Sequence, residues 1–397
     1  MNGSSSNSPS DYSALVGATI YPSPTEDPIR DSVVLIQGER ILAVGARPQM
    51  QFPEAARVLD CFGLTITAGL WNSHVHFFER KWTDVATIPA PELAHQLQNM
   101  LTQYGFTSVF DTGSLWENTR RLRDRIDSGE IPGPKIRSTG PGLVPPGALP
   151  SDQVMGLMGL MKFPAPEVAD PAQAATAAKK LLDEGVDAIK LFASSPRGPS
   201  LSESAIQAAA NEAHRAGKRV FVHPNTGADV LTAVRAGVDI IAHTTPHSGP
   251  WDETLLATMK DRRVALTPTL TLWKYYMRHD RLSAQEKITN TEVAQLRAWA
   301  AAGGEVLFGT DLGAVEYDPT EEYALMSEAG MTFPQILASL TTAPATRFGE
   351  ANKRGRVAAG FQADLAVFEQ DPATDIRAFA LVKYTLRAGK IIYRATG

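Results

Sequence analysis

Between residues 64 and 329 the chain alternates strand-like and helix-like stretches, and this alternation limits its fold more than any other feature. Short apolar, β-rich runs fall at Leu64–His76, Thr107–Thr112, Lys135–Gly140, Ala188–Ala193, Arg219–Pro224, Asp239–Thr244, Arg263–Leu270 and Glu305–Asp311. Most are followed by a helix-like stretch: Pro91–Tyr104, Leu115–Ser128, Pro171–Glu184, Ser202–Ala216, Ala228–Ala236, Asp252–Arg262 and Thr320–Ala329. Several of these open on a capping residue or an early proline and stop at a glycine, such as Gly105, Gly185 and Gly237. Eight such units predict an α/β fold, a (β/α)8 TIM-like barrel.

The flanks read differently. Ala14–Ile20, Ser32–Gln37, Arg40–Gly45 and Ala56–Cys61 are strand-like, with a hairpin around Gly38-Glu39. The far end repeats this texture at Asp364–Glu369, Leu381–Ala388 and Lys390–Tyr393. Neither flank carries enough apolar surface for a domain. Together they predict one small β-sandwich formed from both terminal segments and interrupted by the barrel, an insertion that adjacent termini tolerate. The expected division is a disordered tail over residues 1–12, the sandwich over 13–66 with 355–397, and the barrel over 67–354.

Composition narrows the partners. With 43% hydrophobic and 20% charged residues the chain can bury a large core. A net charge of −5 and the lack of a basic stripe argue against nucleic acid. The sequence holds no apolar run of the length a membrane helix needs, so no membrane partner is expected. Cys61 is the only cysteine, which rules out an intrachain disulfide and suits a reducing compartment. The expectation is a cytoplasmic protein with a small-molecule substrate, a homo-oligomer being left open.

Barrel enzymes carry their chemistry at the C-terminal ends of the strands. The first strand ends in His74 and His76, which alternation places on one face. Lys190 lies on the fourth strand, His223 and His243 end the fifth and sixth, and Asp311 ends the eighth. Each has a plain structural reading: a core histidine bonded to backbone, a lysine reaching back to water, an aspartate capping a helix. Taken together, those readings bury polar groups without a shared partner, at roughly 2–7 kcal/mol each. A common metal site removes that penalty.

This set resembles the metal-dependent hydrolases of the amidohydrolase superfamily. It is most similar to the branch holding imidazolonepropionase-like proteins and lysine-containing dipeptidases of the prolidase type. The phrases Gly360-Phe361-Gln362-Ala363-Asp364-Leu365-Ala366-Val367, Leu266-Thr267-Pro268-Thr269-Leu270 and Leu307-Phe308-Gly309-Thr310-Asp311 match as well. Two positions depart from the pattern, Asn72 where relatives often carry aspartate and Ala68 where they carry proline. The resemblance implies two divalent ions, zinc being the expected metal. In that scheme His74, His76 and Asp311 hold one ion, His223 and His243 hold the other, and Lys190 bridges both as a carbamate made with carbon dioxide. It also implies attack by a metal-activated hydroxide, with Asp311 carrying the proton to the leaving group.

Deaminases of the superfamily usually place a glutamate shortly after the fifth-strand histidine. His223 is followed by Pro-Asn-Thr-Gly-Ala-Asp, so cleavage of an amide, ester or lactone is preferred. A mononuclear cyclic-amidine hydrolase or deaminase is the alternative, and a non-catalytic scaffold a third reading. His247, Trp273 and Arg197 follow strand ends and are candidate substrate contacts. The 141–170 loop offers Leu143, Val144, Leu149, Met155, Leu157 and Met158 as an apolar cover for the mouth. The expected substrate is therefore small, largely apolar and at most singly charged.

Overall fold

A computed structural model describes residues 12–148, 156, 165–194 and 199–396. The chain divides into two compact units. One takes the chain up to Trp71, Leu97–Thr107 and everything from Phe333 onward; the other takes Asn72–Gln96 and Ser108–Thr332.

The first unit begins with β1 (Tyr12–Ile20), β2 (Ile29–Gln37), β3 (Arg40–Ala46), β4 (Arg57–Asp60) and β5 (Thr65–Ala68). β1 and β2 are antiparallel with Val16 opposite Val33, and the β2–β3 hairpin turns at Gly38, whose φ of 56° is left-handed. β1 also pairs in parallel with β4 and β5.

The run Leu64–His76 is two strands rather than one. β5 joins the terminal sheet, and β6 (Leu70–Val75) opens the next set. They part at Gly69, where a Cβ would stand 2.3 Å from the Thr107 hydroxyl oxygen. An unbroken apolar run gives no sign of such a break, because both halves are buried on both faces.

From β6 the chain continues through α1 (Ala90–Met100), β7 (Phe106–Asp111), α2 (Trp116–Asp127), β8 (Lys135–Ser138), α3 (Pro171–Asp183), β9 (Ala188–Phe192), α4 (Glu203–Arg215), β10 (Arg219–His223), α5 (Gly227–Arg235) and β11 (Ile240–Ala242). It then runs through α6 (Glu253–Asp261), β12 (Ala265–Thr267), α7 (Thr271–Tyr276), α8 (Leu282–Ala301), β13 (Glu305–Val306) and α9 (Thr320–Glu328). The helices form for local reasons. Asp170 and Ser202 cap α3 and α4, Thr226 and Asp229 make a capping box on α5, and α4 buries Ile206, Ala209, Ala210 and Ala213 along one stripe.

Strands neighbouring in sequence neighbour in space, in two arcs, β6-β7-β8 and β9-β10-β11-β12-β13. Backbone bonds join the arcs. Asp187 N–H donates to Ser138 O at 2.7 Å on one side. On the other, Ser73 N–H donates to Phe308 O at 2.7 Å and Asp311 N–H to His74 O at 2.9 Å. The fold is TIM-barrel-like, but the described residues form no continuous eight-strand ladder. β13 is only two residues long, and beyond it Asp311 turns left-handed at φ 63°.

Helix α8, the 20-residue segment Leu282–Ala301, has no counterpart among the helices expected from sequence. Its buried stripe contains Glu292 and Gln295, which interrupt the apolar period. The loop after β8 also differs from expectation. The Leu143 N–H donates to Lys190 O at 2.9 Å and the Phe192 N–H to Leu143 O at 3.0 Å, so Leu143 lies along β9, while Val144 pairs with Pro166–Val168 through bonds of 3.0 and 2.9 Å; both are buried. Gly142 permits this, since a Cβ there would come within 2.5 Å of the Phe192 ring. Leu149, Met155, Leu157, Met158 and Arg197 lie outside the described residues.

The chain returns to the first unit with α10 (Phe333–Leu340), α11 (Thr342–Arg347), β14 (Leu365–Phe368), β15 (Val382–Arg387) and β16 (Lys390–Arg394). The strands from both chain ends make one mixed eight-stranded sheet, ordered β16-β15-β14-β5-β1-β2-β3 with β4 beside β1. Leu15, Val34, Ile66, Leu365 and Leu386 form its core. Arg354 links Glu350 and Asp364 beneath it, and Asp364 also accepts the Ala388 N–H at 2.7 Å. Among the described residues no helix is long and apolar enough to cross a membrane.

Candidate metal centre

β6 carries Asn72 and His74, and His76 follows one residue past its end, in step with their alternation. The Asn72 carbonyl accepts the His74 N–H at 3.2 Å, and its amide donates to the Thr310 hydroxyl at 2.7 Å, tying β6 to the segment that carries Asp311. Asp311 Oδ1 lies 3.0 Å from His74 Nε2 and 2.8 Å from His76 Nε2, while the two imidazole nitrogens stand 3.3 Å apart. Neither approach to the carboxylate has hydrogen-bond geometry, so Asp311 Oδ1 is buried with no donor among the described residues. Two glycines make room. A Cβ on Gly309 would fall 2.8 Å from His74 Cβ, and one on Gly313 would fall 2.3 Å from His76 O.

His243 follows β11 in left-handed backbone, φ 76°, with Thr269 at φ 47° beyond β12. Such conformations cost on the order of 1–3 kcal/mol each and persist only where the surroundings over-determine them. His243 Nδ1 is 2.6 Å from the Thr269 hydroxyl, whose own proton goes to Pro268 O at 2.8 Å. His243 is therefore the donor at Nδ1, and its Nε2 lone pair is left for the site. The His243 ring centroid is 4.7 Å from that of His74 and 4.6 Å from that of His223. Ligand atoms of His74, His243 and Asp311 all lie within 4.8 Å of one another. Lys190, opposite Phe221 in the β9–β10 register, is 1% exposed and close enough to feel Asp311 electrostatically.

Burial dominates the titration of this cluster. It pushes His74 down to about 3 and His223 down to about 4, in both cases with Lys190 adding to the effect and Asp311 opposing it. His243 is held well below its ordinary value by burial and then by His223 and His74. Burial works against ionising Asp311, yet the adjoining His74 and His76 outweigh it and keep the carboxyl well below its usual range. Lys190 is pushed down to about 7 by burial, with Asp311 pulling upward. The site thus gathers neutral imidazoles, a carboxylate and an amine that can be neutral near pH 7. That donor set suits a divalent cation of the zinc type, and converging lone pairs repel one another until a cation lies among them.

Sequence reasoning missed the groups behind this cluster. Glu292 on α8 accepts the Thr244 hydroxyl at 3.0 Å. Gln295 accepts the Thr245 N–H at 2.8 Å and donates to Thr245 O at 2.9 Å. Glu322 on α9 accepts the Leu270 and Thr271 N–H groups at 2.8 and 2.9 Å. Asp111, fully buried at the end of β7, accepts from Ser114, Thr119 and Ser138, and burial raises its carboxyl. For Glu292, Gln295 and Glu322 the available signal was an acid or amide inside an apolar helical stripe. Of the expected substrate contacts, exposed His247 stands edge-on to Trp273, ring centroids 5.2 Å apart. Trp273 Nε1 is buried with no acceptor among the described residues.

The chain matches the model of the Amidohydrolase family over residues 65–392. It belongs to that family. Amidohydrolases generally use metal ions, and the family together with its hydrolase relatives supports an enzyme that hydrolyses amide-type bonds. Among curated amidohydrolase relatives, an ochratoxinase of Aspergillus niger is 24% identical over 412 residues, covering 92% of this chain and 83% of its own. A putative prolidase from Bifidobacterium longum matches in structure with a TM-score of 0.81 at 26% identity, over 97% of this chain and 95% of its own. A Xaa-Pro dipeptidase with methionine bound in its active site gives a TM-score of 0.82 over 97% of this chain and 100% of its own; at 21% identity it speaks to the fold alone.

Proposed function

We propose that this amidohydrolase, built on a (β/α)8 barrel, is a metal-dependent hydrolase that cleaves the amide, ester or lactone bond of a small, largely apolar substrate. One observation carries the reading. Asp311 Oδ1, buried and without a hydrogen-bond donor among the described residues, faces the Nε2 atoms of His74 and His76, with His243 beside them. His74, His76 and Asp311 would hold one divalent ion, zinc by preference, and His223 and His243 a second, with Lys190 between them. The ions supply Lewis-acid activation of water and of the substrate carbonyl. Addition of carbon dioxide to the neutral Lys190 amine, with release of one N–H proton to solvent, would give a carbamate and so an anionic oxygen donor in place of the amine. Asp311 accepts the proton of the attacking water and returns it to the leaving group.

His247 and Trp273, set edge to face beyond β11 and β12, would line the substrate pocket, and the indole N–H offers a donor to a substrate oxygen. Arg197 is retained as a contact for a single carboxylate. An N-acyl amino acid, a dipeptide or an aryl amide fits this chemistry. The Bifidobacterium longum relative, a putative prolidase at 26% identity, supports an amino-acid-like substrate.

The test is metal analysis of the purified protein, followed by assays of the zinc-loaded form on N-acyl amino acids, dipeptides, esters and lactones. Two ions per chain with turnover of an apolar amide is the expected result. A second reading, a one-ion cyclic-amidine hydrolase or deaminase, draws on the three-donor group His74, His243 and Asp311. One ion per chain would favour it. No ion together with no turnover would reject both.

A further inference from the structure

We propose that Glu292 is a positioning residue of the metal centre, acting through Thr244 to hold His243 with its Nε2 toward the other ligands. This rests on the metal-centre reading. His243 occupies left-handed backbone, which an L side chain leaves unless its neighbours hold it. The two residues after it are held from one side. The Thr244 hydroxyl donates to Glu292 at 3.0 Å, and the Thr245 peptide is bound at both its N–H and its carbonyl by Gln295, one helical turn further along α8. Thr244 N–H also donates to Pro268 O at 3.3 Å, next to the Thr269 hydroxyl that fixes the His243 tautomer.

Packing does not explain the residue. Glu292 is fully buried, and its Oε2 has no partner among the described residues, so it brings an unsatisfied polar atom into the interior of the fold. A leucine would fill the same space without that atom. What the carboxyl adds is one directional acceptor, placed where the backbone after a ligand needs an anchor.

The experiment compares wild type with Glu292→Gln, Glu292→Leu, Thr244→Val and the double variant Thr244→Val/Glu292→Leu. Zinc affinity is measured by chelator competition. The ring 15N shifts of metal-stripped protein give a second, metal-free readout, with the His243 signal assigned from its loss in His243→Asn. Wild type is expected to show the Nδ1–H tautomer at His243. Glu292→Gln keeps an acceptor carbonyl and is expected to stay within about twofold of wild type in affinity. The double variant removes both partners together, which folds tolerate well. It is expected to melt near wild type, to lose about 10–100-fold in zinc affinity, and to show mixed His243 tautomers. If either single variant fails to fold, the double variant and Glu292→Gln decide the matter. A double variant with wild-type affinity and tautomer overturns the proposal, and so does a Glu292→Gln loss as large as that of the double. Failure of wild type itself to bind zinc would overturn the metal reading instead, and the tautomer comparison would still judge Glu292.

Discussion

Glu322 should make the protein less stable as the pH rises through the weakly acidic range. Its carboxyl is fully buried, and burial raises it to about 7 from an ordinary 4.5, against three hydrogen bonds from Leu270 and Thr271 that favour the ionised form. The unfolded chain releases this proton near 4.5, whereas the native state keeps it until about 7, so the native state binds more protons between those values. The contribution to stability is then complete below 4.5, declines across the window and is gone once the pH has passed 7. Ionising the native carboxyl at about 7 instead of 4.5 costs about 3 kcal/mol. Urea unfolding at about pH 5 and about pH 8 measures this, with Glu322→Gln as the control that subtracts every other titrating group. Wild type is expected to lose up to about 3 kcal/mol more than the variant over that interval. Equal losses in the two proteins would refute the argument, because they would place the Glu322 proton equilibrium where the unfolded chain has it.

Three further outcomes are expected. Gly313→Ala sets a Cβ 2.3 Å from His76 O at a φ of 101°, so it is expected to cost more than about 1 kcal/mol and to lower the metal content of the purified protein; denaturation and elemental analysis check both. Arg354→Leu strands the buried carboxylates of Glu350 and Asp364 and is expected to cost about 3–5 kcal/mol by chemical unfolding. Thr269→Val removes the acceptor of His243 Nδ1, and about a 10–100-fold drop in zinc affinity is expected by chelator competition.

Periodicity exposed most strands and helices because each buries one face or both against a neighbour, and the pattern of apolar residues records that choice. The His74–His76 pair was readable for the same reason: alternation alone puts both rings on one side of a strand. Other features leave no such trace. Gly69 divides an apolar run without disturbing its composition, and only the nearness of Thr107 demands the glycine. Glu292 and Gln295 make α8 look less amphipathic than it is, since their partners sit about 50 residues away in the loop after β11. Leu143 satisfies an apolar cover and a strand-like pairing equally well in one dimension, and a backbone bond to Lys190 O gives it the strand-like pairing. Left-handed φ at His243 and Asp311 has no sequence mark at all, because neither residue is a glycine.

The junction between β6 and the segment beyond β13 also bears on how the chain folds. His74 and Asp311 meet there across an intervening loop of roughly 240 residues, whose closure costs about 5 kcal/mol of chain entropy by polymer scaling. Contacts so distant in sequence form late, after the local strand–helix units exist to shorten the effective loop. The His74–Asp311 pair is thus expected to be among the last parts of this barrel-like unit to be assembled. A cation held by both residues would act as a clasp on that final step, slowing its reopening more than it speeds its formation.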